Sequence, residues 1–149
     1  MSKKIGIIGA GGMLQYHAAG FRAGGADLIA ICDMNESAAK SAAAEYEVPH
    51  VFSDSAKMLS ELSDLDAISI ITPNRTHRPL AIQALEAGKH VFCEKPFTTT
   101  IEEAKSLIEL AKSKQRWIVI NNEFRFMNIY EASVGSGNPL WSKSLVAFT

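Results

Sequence analysis

Near its amino terminus the chain reads Ile5-Gly6-Ile7-Ile8-Gly9-Ala10-Gly11-Gly12-Met13-Leu14, an apolar run followed at once by glycines. The run from Ile5 to Ile8 predicts a buried strand, and the glycines predict a tight turn that opens a helix. Gly9 suits the point where the chain turns, and Gly11 lets the backbone approach a diphosphate that rests on amides at the helix N-terminus. Gly12 and Met13 complete that turn and count as candidate binding residues. A strand-to-helix turn that binds nothing would contain the same glycines.

The last position of this motif departs from the dinucleotide-binding fingerprint. Glycine or alanine usually stands there, because a small residue lets the helix pack tightly on the strand. In this chain the position is Leu14, and Gly12 offsets the difference only in part. If Leu14 blocked the first turn, the prediction of a dinucleotide site would fail.

Apolar runs alternate with helical patterns from the first residues to about residue 120. Because these runs are apolar on successive positions, they predict strands that are covered on both faces. Strands that alternate with helices, joined by right-handed crossovers, build a doubly wound α/β fold with a parallel sheet in the order 3-2-1-4-5-6. After the first strand the runs are Leu28 to Cys32, Ala67 to Ile71, Val91 to Cys93 and Trp117 to Ile120, with a shorter and weaker apolar run at Val51-Phe52.

Several of the intervening helices carry recognisable start and stop signals. Asn35 precedes an alanine-rich helix over 36–46, whose small side chains let it lie close to the sheet. Thr76 is expected to open a second helix that ends before Gly88. Thr100 and Glu103 form a capping-box pattern at the start of a third helix, because each side chain can accept a hydrogen bond from a free amide of the first turn.

Composition excludes several classes of function. The chain has 149 residues with 47% hydrophobic and 21% charged residues, which suits one folded domain. A net charge of -1 provides no positive field for a nucleic acid, and no apolar run approaches the ~20 residues that span a bilayer. Cys32 and Cys93 are too few for a disulfide framework and should be packing residues of a cytoplasmic protein. The four histidines show no metal-ligand spacing.

Asp33 stands at the end of the second predicted strand. An acidic side chain ~20 residues after the glycine turn can accept hydrogen bonds from the ribose of an adenine dinucleotide. A carboxylate there would repel a 2′-phosphate, so NAD is favoured over NADP. Asp33 could instead cap the helix that follows it, as Asn35 can.

Polar residues also follow the fourth and fifth strands. The first group is Thr72, Pro73 and Asn74 together with His77, and the second is Glu94 and Lys95. The carboxyl ends of buried parallel strands border the crevice in which doubly wound sheets bind ligands, so these residues form the second half of the predicted site. Alternatively, Glu94 and Lys95 are a solvated charge pair, and His77 is a surface residue at a helix start.

Taken together, these motifs resemble the N-terminal domain of the Gfo/Idh/MocA oxidoreductases over roughly residues 3–126. The most specific part is the segment from Ala87 to Phe97, which contains Glu94-Lys95-Pro96. The glycine turn, Cys32-Asp33 and Thr72-Pro73-Asn74 with His77 agree with it. The resemblance implies a nicotinamide-binding Rossmann fold. It also implies hydride exchange with a hydroxyl-bearing carbon of a sugar, cyclitol or related polyol.

The same resemblance implies roles for individual residues. Lys95 would lie beside the nicotinamide and the substrate and act as a proton relay, aimed by a cis peptide bond before Pro96. Glu94 would bind the ribose at the nicotinamide end. Asn74 and His77 would line the nicotinamide side, with His77 as a second catalytic candidate, and Arg125 would lie where the chain leaves the first domain.

Family members continue into a large second domain, of which this chain has little. We expect residues 1–122 to form the dinucleotide-binding domain and 123–149 to form the crossover and a short remnant of a substrate or oligomerisation domain. The chain is then the cofactor half of an oxidoreductase, or alternatively a free-standing NAD-binding module without turnover. Trp141 and Phe148 predict an exposed apolar patch or an interface between copies of the chain.

Overall fold

A computed structural model describes residues 2–122. Within them the chain forms one parallel sheet of six strands in the order β3-β2-β1-β4-β5-β6, which confirms the predicted doubly wound topology. All strand pairs are parallel, so the carboxyl ends of the strands lie at one edge of the sheet. The strands are β1 Lys4–Ile8, β2 Asp27–Cys32, β3 His50–Phe52, β4 Ala67–Ile70, β5 His90–Glu94 and β6 Ile118–Asn121.

Helices connect successive strands and cover the sheet. They are α1 Leu14–Ala23, α2 Glu36–Glu45, α3 Ser55–Glu61, α4 His77–Glu86 and α5 Ile101–Ser113. Helix α3 was not predicted from the sequence. It is capped by Asp54, whose carboxylate accepts hydrogen bonds from the amides of Ala56 and Lys57 at 2.7 and 3.4 Å.

The helix caps agree with the sequence in two of three cases. The Asn35 side chain accepts a hydrogen bond from the Ala38 amide at 3.2 Å. Thr100 accepts one from the Glu103 amide at 3.2 Å, although the Glu103 carboxylate returns to Thr99 rather than to Thr100. Thr76 occupies the N-cap position of α4 as predicted, but its side chain makes no capping bond, because a 3-10 turn over Asn74–Thr76 precedes that helix and directs the threonine hydroxyl back into the loop.

The core consists of two apolar clusters that share the buried strands. One cluster includes Met58, Leu85 and Leu107 from α3, α4 and α5. The other contains residues of α1 and α2, including Ala39, Ala42 and Ala43, which confirms that small residues let α2 pack closely on the sheet. Since α1 and α2 lie in one cluster and α3, α4 and α5 in the other, the two groups of helices cover opposite faces.

Cys32 and Cys93 are both free and buried in the core, as predicted for packing residues. Burial raises the pKa of Cys32 to about 11 and that of Cys93 to about 12, so both side chains remain thiols at neutral pH. Strands β1 and β4 lie between the strands that carry them, which places the thiols too far apart for a disulfide.

Strand β6 departs from the prediction that every strand is covered on both faces. Trp117, expected to begin a buried strand, lies just before β6 and is 41% exposed, and Val119 is 38% exposed among the residues described. Both lie at the edge of the sheet, where β6 pairs with β5 on one side and with no described strand on the other.

No helix within residues 2–122 combines the length and apolar character that crossing a membrane would need.

The turn after β1 requires glycine at position 9. Gly9 has a φ of +112°, and a Cβ built on it would lie 2.8 Å from the Ile71 side chain and 3.1 Å from the Ile71 backbone. A Cβ on Gly12 would meet no atom within 4 Å.

We therefore expect Gly9→Ala to lower the free energy of unfolding by about 3 kcal/mol, because it combines left-handed strain with a clash against backbone. The matched change Gly12→Ala should cost less than about 1 kcal/mol. Urea unfolding followed by circular dichroism measures both. Equal losses for the two variants would contradict the assigned constraint.

Candidate functional site

Three segments meet at the carboxyl edge of the sheet: the glycine turn over 9–12, the loop over 72–77 and the segment over 94–97. The turn follows β1, and the two other segments follow β4 and β5, which are the next strands in the sheet. Ile8 pairs with Ile70, and Ile70 pairs with Cys93, so the three strands end almost level. The predicted crevice residues are therefore brought together.

The glycine turn leaves room for a ligand. Built Cβ atoms on Gly11 and Gly12 meet nothing within 4 Å, and no side chain caps the start of α1 at Met13. Leu14 is only 3% exposed and packs in the core cluster of α1 and α2. The departure at the third fingerprint position is therefore accommodated inside the protein, and the binding of a diphosphate by this turn stays a prediction.

Asp33 connects the end of β2 to the glycine turn. One carboxylate oxygen accepts a hydrogen bond from the Ala10 amide, and the other accepts one from the Asn35 amide, both at 2.8 Å. Asn35 caps α2, so the alternative that Asp33 serves as that cap is wrong. Each oxygen of an ionised carboxylate can accept a second bond, so the half-buried Asp33 can still receive ribose hydroxyls.

His77 is buried between two loops instead of lying on the surface. Its ring is 1% exposed, Nδ1 lies 2.8 Å from the Pro96 carbonyl oxygen, and Nε2 lies 2.7 Å from the Thr72 carbonyl oxygen. The alternative of a surface histidine is therefore wrong. Because both ring nitrogens contact backbone carbonyl oxygens within the protein, this geometry argues against the predicted catalytic role of His77.

The loop over 72–77 is held by short-range hydrogen bonds. The Thr76 hydroxyl contacts the Thr72 hydroxyl and the Pro73 carbonyl oxygen, both at 2.7 Å. Asn74 and Pro73 are exposed, whereas Thr72 is half-buried. The exposed amide of Asn74 is thus available on the side where the resemblance places the nicotinamide.

Glu94 is buried and makes hydrogen bonds through both carboxylate oxygens. Oε1 accepts from His17 Nε2 at 2.8 Å and from Asn121 Nδ2 at 2.5 Å, and Oε2 accepts from the Lys95 amide at 3.2 Å. Burial favours the neutral acid, but the bonds from Asn121, His17 and Lys95 outweigh it and lower the pKa of Glu94 below its usual value. Glu94 is therefore not part of a solvated charge pair, and its binding of a ribose stays a prediction.

Lys95 follows directly and is exposed at the carboxyl edge. The peptide bond between Lys95 and Pro96 is cis, as the resemblance implied. Arg125, Trp141 and Phe148 lie outside the described residues, as does the whole segment over 123–149.

His17 is one of the polar residues beside Glu94 that were not predicted from the sequence, with Ser69 and Asn121. It lies on the buried side of α1 with Leu14 and Ala18, and its Nδ1 is hydrogen bonded to the Ser69 hydroxyl at 2.9 Å. The signal in the sequence was that His17 and Ser69 are polar residues at positions where the helical and strand patterns predict apolar ones. Buried polar side chains require hydrogen-bond partners, so the two residues could have been paired. In the part of the chain that the structure describes, no group of three or more His, Cys, Asp or Glu side chains could hold a metal ion.

The family model that describes an oxidoreductase family with an NAD-binding Rossmann fold matches residues 3–122. Inositol 2-dehydrogenase 4 of Saccharopolyspora erythraea is 38% identical over 118 residues, which cover 78% of this chain and 35% of that protein. D-glucoside 3-dehydrogenase of Escherichia coli is 34% identical over 125 residues, which cover 83% of this chain and 35% of that protein. The chain thus spans about a third of the length of these relatives.

A solved structure with the same fold is scyllo-inositol dehydrogenase from Lactobacillus casei with bound NAD(H) and scyllo-inositol. It superposes with a TM-score of 0.80 at 29% identity, covering 89% of this chain and 40% of that one. The sequence match, the strand order and the glycine turn agree with one another. The chain belongs to the Gfo/Idh/MocA family of oxidoreductases, and residues 3–122 are its NAD-binding Rossmann domain.

Proposed function

We propose that the chain is the cofactor-binding part of an NAD-dependent oxidoreductase that acts on a hydroxyl-bearing carbon of a sugar, cyclitol or related polyol. One observation carries this proposal: the glycine turn, Asp33 and Lys95 follow β1, β2 and β5 along a single edge of the sheet. That order suits a dinucleotide with its adenosine end near Asp33, its diphosphate over α1 and its nicotinamide near Lys95.

The names of the relatives support the substrate class. Two of them are an inositol dehydrogenase and a glucoside dehydrogenase, and a solved relative contains NAD(H) with scyllo-inositol. These substrates share a ring with secondary hydroxyl groups. Because the chain spans only about a third of these relatives, the substrate class is inferred from them and not from a pocket in this chain.

Lys95 carries the acid-base part of the proposed reaction. Oxidation of an alcohol removes a hydride from carbon and a proton from oxygen, and a bound nicotinamide would supply the acceptor for the hydride. Lys95 is placed to receive the hydroxyl proton and, in the reverse direction, to return a proton to the carbonyl oxygen. Glu94 and His77 hold the backbone on either side of Lys95 and so orient its side chain.

Asp33 determines the preference for NAD over NADP in this proposal. Its carboxylate accepts hydrogen bonds from a ribose but repels a 2′-phosphate at the same place. The neighbouring Met34 is 88% exposed and offers no positive charge that could bind such a phosphate.

We also propose a cellular compartment and a mode of assembly for the protein. The two free, buried thiols support the reducing environment of the cytoplasm. Association of two copies would use the segment over 128–149, which lies outside the described residues.

Asp33→Ala should weaken NADH binding roughly tenfold, because a buried or half-buried hydrogen bond to a charged group contributes about 1.5–3 kcal/mol. The affinity for NADPH should fall less or rise. Fluorescence titration with both coenzymes measures the ratio, and circular dichroism checks that the glycine turn still folds without its bond to Asp33. An unchanged ratio would remove Asp33 as the determinant of cofactor choice.

Lys95→Ala should lower the rate of polyol oxidation by roughly 10²-fold or more, while NADH affinity changes less than about threefold. The assay follows nicotinamide absorbance with myo-inositol, scyllo-inositol and simple glucosides. Lys105→Ala is the matched control, because Lys105 is an exposed lysine on α5 away from the site. Equal rates for the two variants would remove the role of Lys95, and NADH binding without turnover of any polyol would favour the free-standing binding module.

A further inference from the structure

A chain of buried hydrogen bonds links four elements beneath the carboxyl edge of the sheet. It passes from Ser69 in β4 to His17 in α1, then to Glu94 in β5, which also accepts a bond from Asn121 in β6. Ser69 is fully buried, and His17 and Glu94 are each 5% exposed. These three polar side chains therefore occupy positions where the surrounding core is apolar.

Such a network is a poor way to stabilise a core. Moving a carboxylate and an imidazole out of water is unfavourable, and well-packed apolar side chains of similar volume often stabilise a protein equally well. What the network provides is a defined orientation for Glu94, since each bond has a preferred length and direction. A positional role accounts for its presence better than stability does.

The His17 ring is held in one orientation from several sides. It makes edge-on contacts with Phe21 and Phe92, with ring centroids 6.2 and 5.4 Å away, and Phe21 contacts Phe92 at 5.5 Å. Its Nδ1 is held by Ser69 at 2.9 Å, which directs Nε2 at Glu94. Helix α1 thereby holds the His17 ring in a fixed position beside the Glu94 carboxylate at the end of β5.

The far side of the Glu94 carboxylate meets the segment that carries Lys95. Oε2 accepts the Lys95 amide at 3.2 Å, so the orientation of the carboxylate sets the position of the Lys95 backbone. On the opposite face of the sheet, His77 of α4 contacts the Pro96 carbonyl oxygen at 2.8 Å. The residues before and after Lys95 are thus anchored from both faces.

We infer that His17 is a positioning residue for the nicotinamide end of the site, which it aligns with the glycine turn by holding Glu94 and hence Lys95. This inference rests on the proposed function. The same helix α1 begins at the glycine turn and carries His17 one turn later. A single rigid element therefore links the diphosphate-binding amides to the strand end that presents Lys95.

The test uses the 149-residue protein and two probes, NADH and ADP. ADP contains the adenosine and the diphosphate but lacks the second ribose and the nicotinamide, which lie at the Glu94 end of the proposed site. His17→Leu removes both polar bonds of the ring, whereas His17→Gln keeps a side-chain N–H that can reach Glu94. We expect His17→Leu to weaken NADH binding roughly tenfold with less than about twofold change for ADP, and His17→Gln to stay within about threefold of wild type for both.

A second readout does not need a ligand. The ¹H–¹⁵N resonance of the Lys95 amide reports its bond to Glu94, so it should move in His17→Leu and return toward the wild-type position in His17→Gln. If His17→Leu fails to show a cooperative thermal transition, Asn121→Leu replaces it, because Asn121 donates to the same oxygen of Glu94 from β6 without altering α1. The same selective loss of NADH binding is then expected.

Parallel loss of both probes in His17→Leu, or no loss of either, would overturn the positioning role alone. An unmoved Lys95 amide would do the same. If wild-type protein binds neither NADH nor ADP, the proposed function fails, and this inference fails with it.

Discussion

The site depends on the left-handed backbone of Gly9 at the end of β1. Its amide donates to the Cys32 carbonyl oxygen at 2.8 Å, and its α-carbon lies against Ile71 so closely that no side chain fits between them. This contact draws the ends of β2, β1 and β4 together and starts α1 at the edge of the sheet. A larger residue would separate them, because the opposing atoms include backbone that cannot rotate away.

Two carboxylates fix the backbone on either side of that turn. Asp33 accepts a hydrogen bond from the Ala10 amide at the end that we propose for the adenosine, and Glu94 accepts one from the Lys95 amide at the end that we propose for the nicotinamide. Both are carboxylates that accept backbone amides, and both follow or end strands of the same sheet. The protein thus uses acidic side chains to position backbone at each end of the site, and the ends are connected by helix α1 and strand β1.

Local patterns predicted most of the fold, because strands buried on both faces and capped helices carry short-range signals. These patterns failed where an element was short or where contacts between distant parts of the chain determined the local structure. Helix α3 has seven residues, which are too few for a clear helical period. The Thr76 side chain makes no capping bond to α4, because the preceding 3-10 turn directs its hydroxyl into the loop. Trp117 looked like the start of a buried strand, but its place at the sheet edge leaves it 41% exposed.

By itself the sequence determined the doubly wound topology, the glycine turn and the residues at the strand ends, since all of these follow from local periodicity and turn chemistry. Only the tertiary structure decided the hydrogen-bond partners of His17 and His77 and the burial of Glu94. Glu94 and Ser69 are 77 and 52 positions away from His17 in the chain, and hydrogen bonds over such separations leave no periodic signal. A buried polar residue is expected to have a hydrogen-bond partner, but the packing of the helices on the sheet determines which residue that partner is.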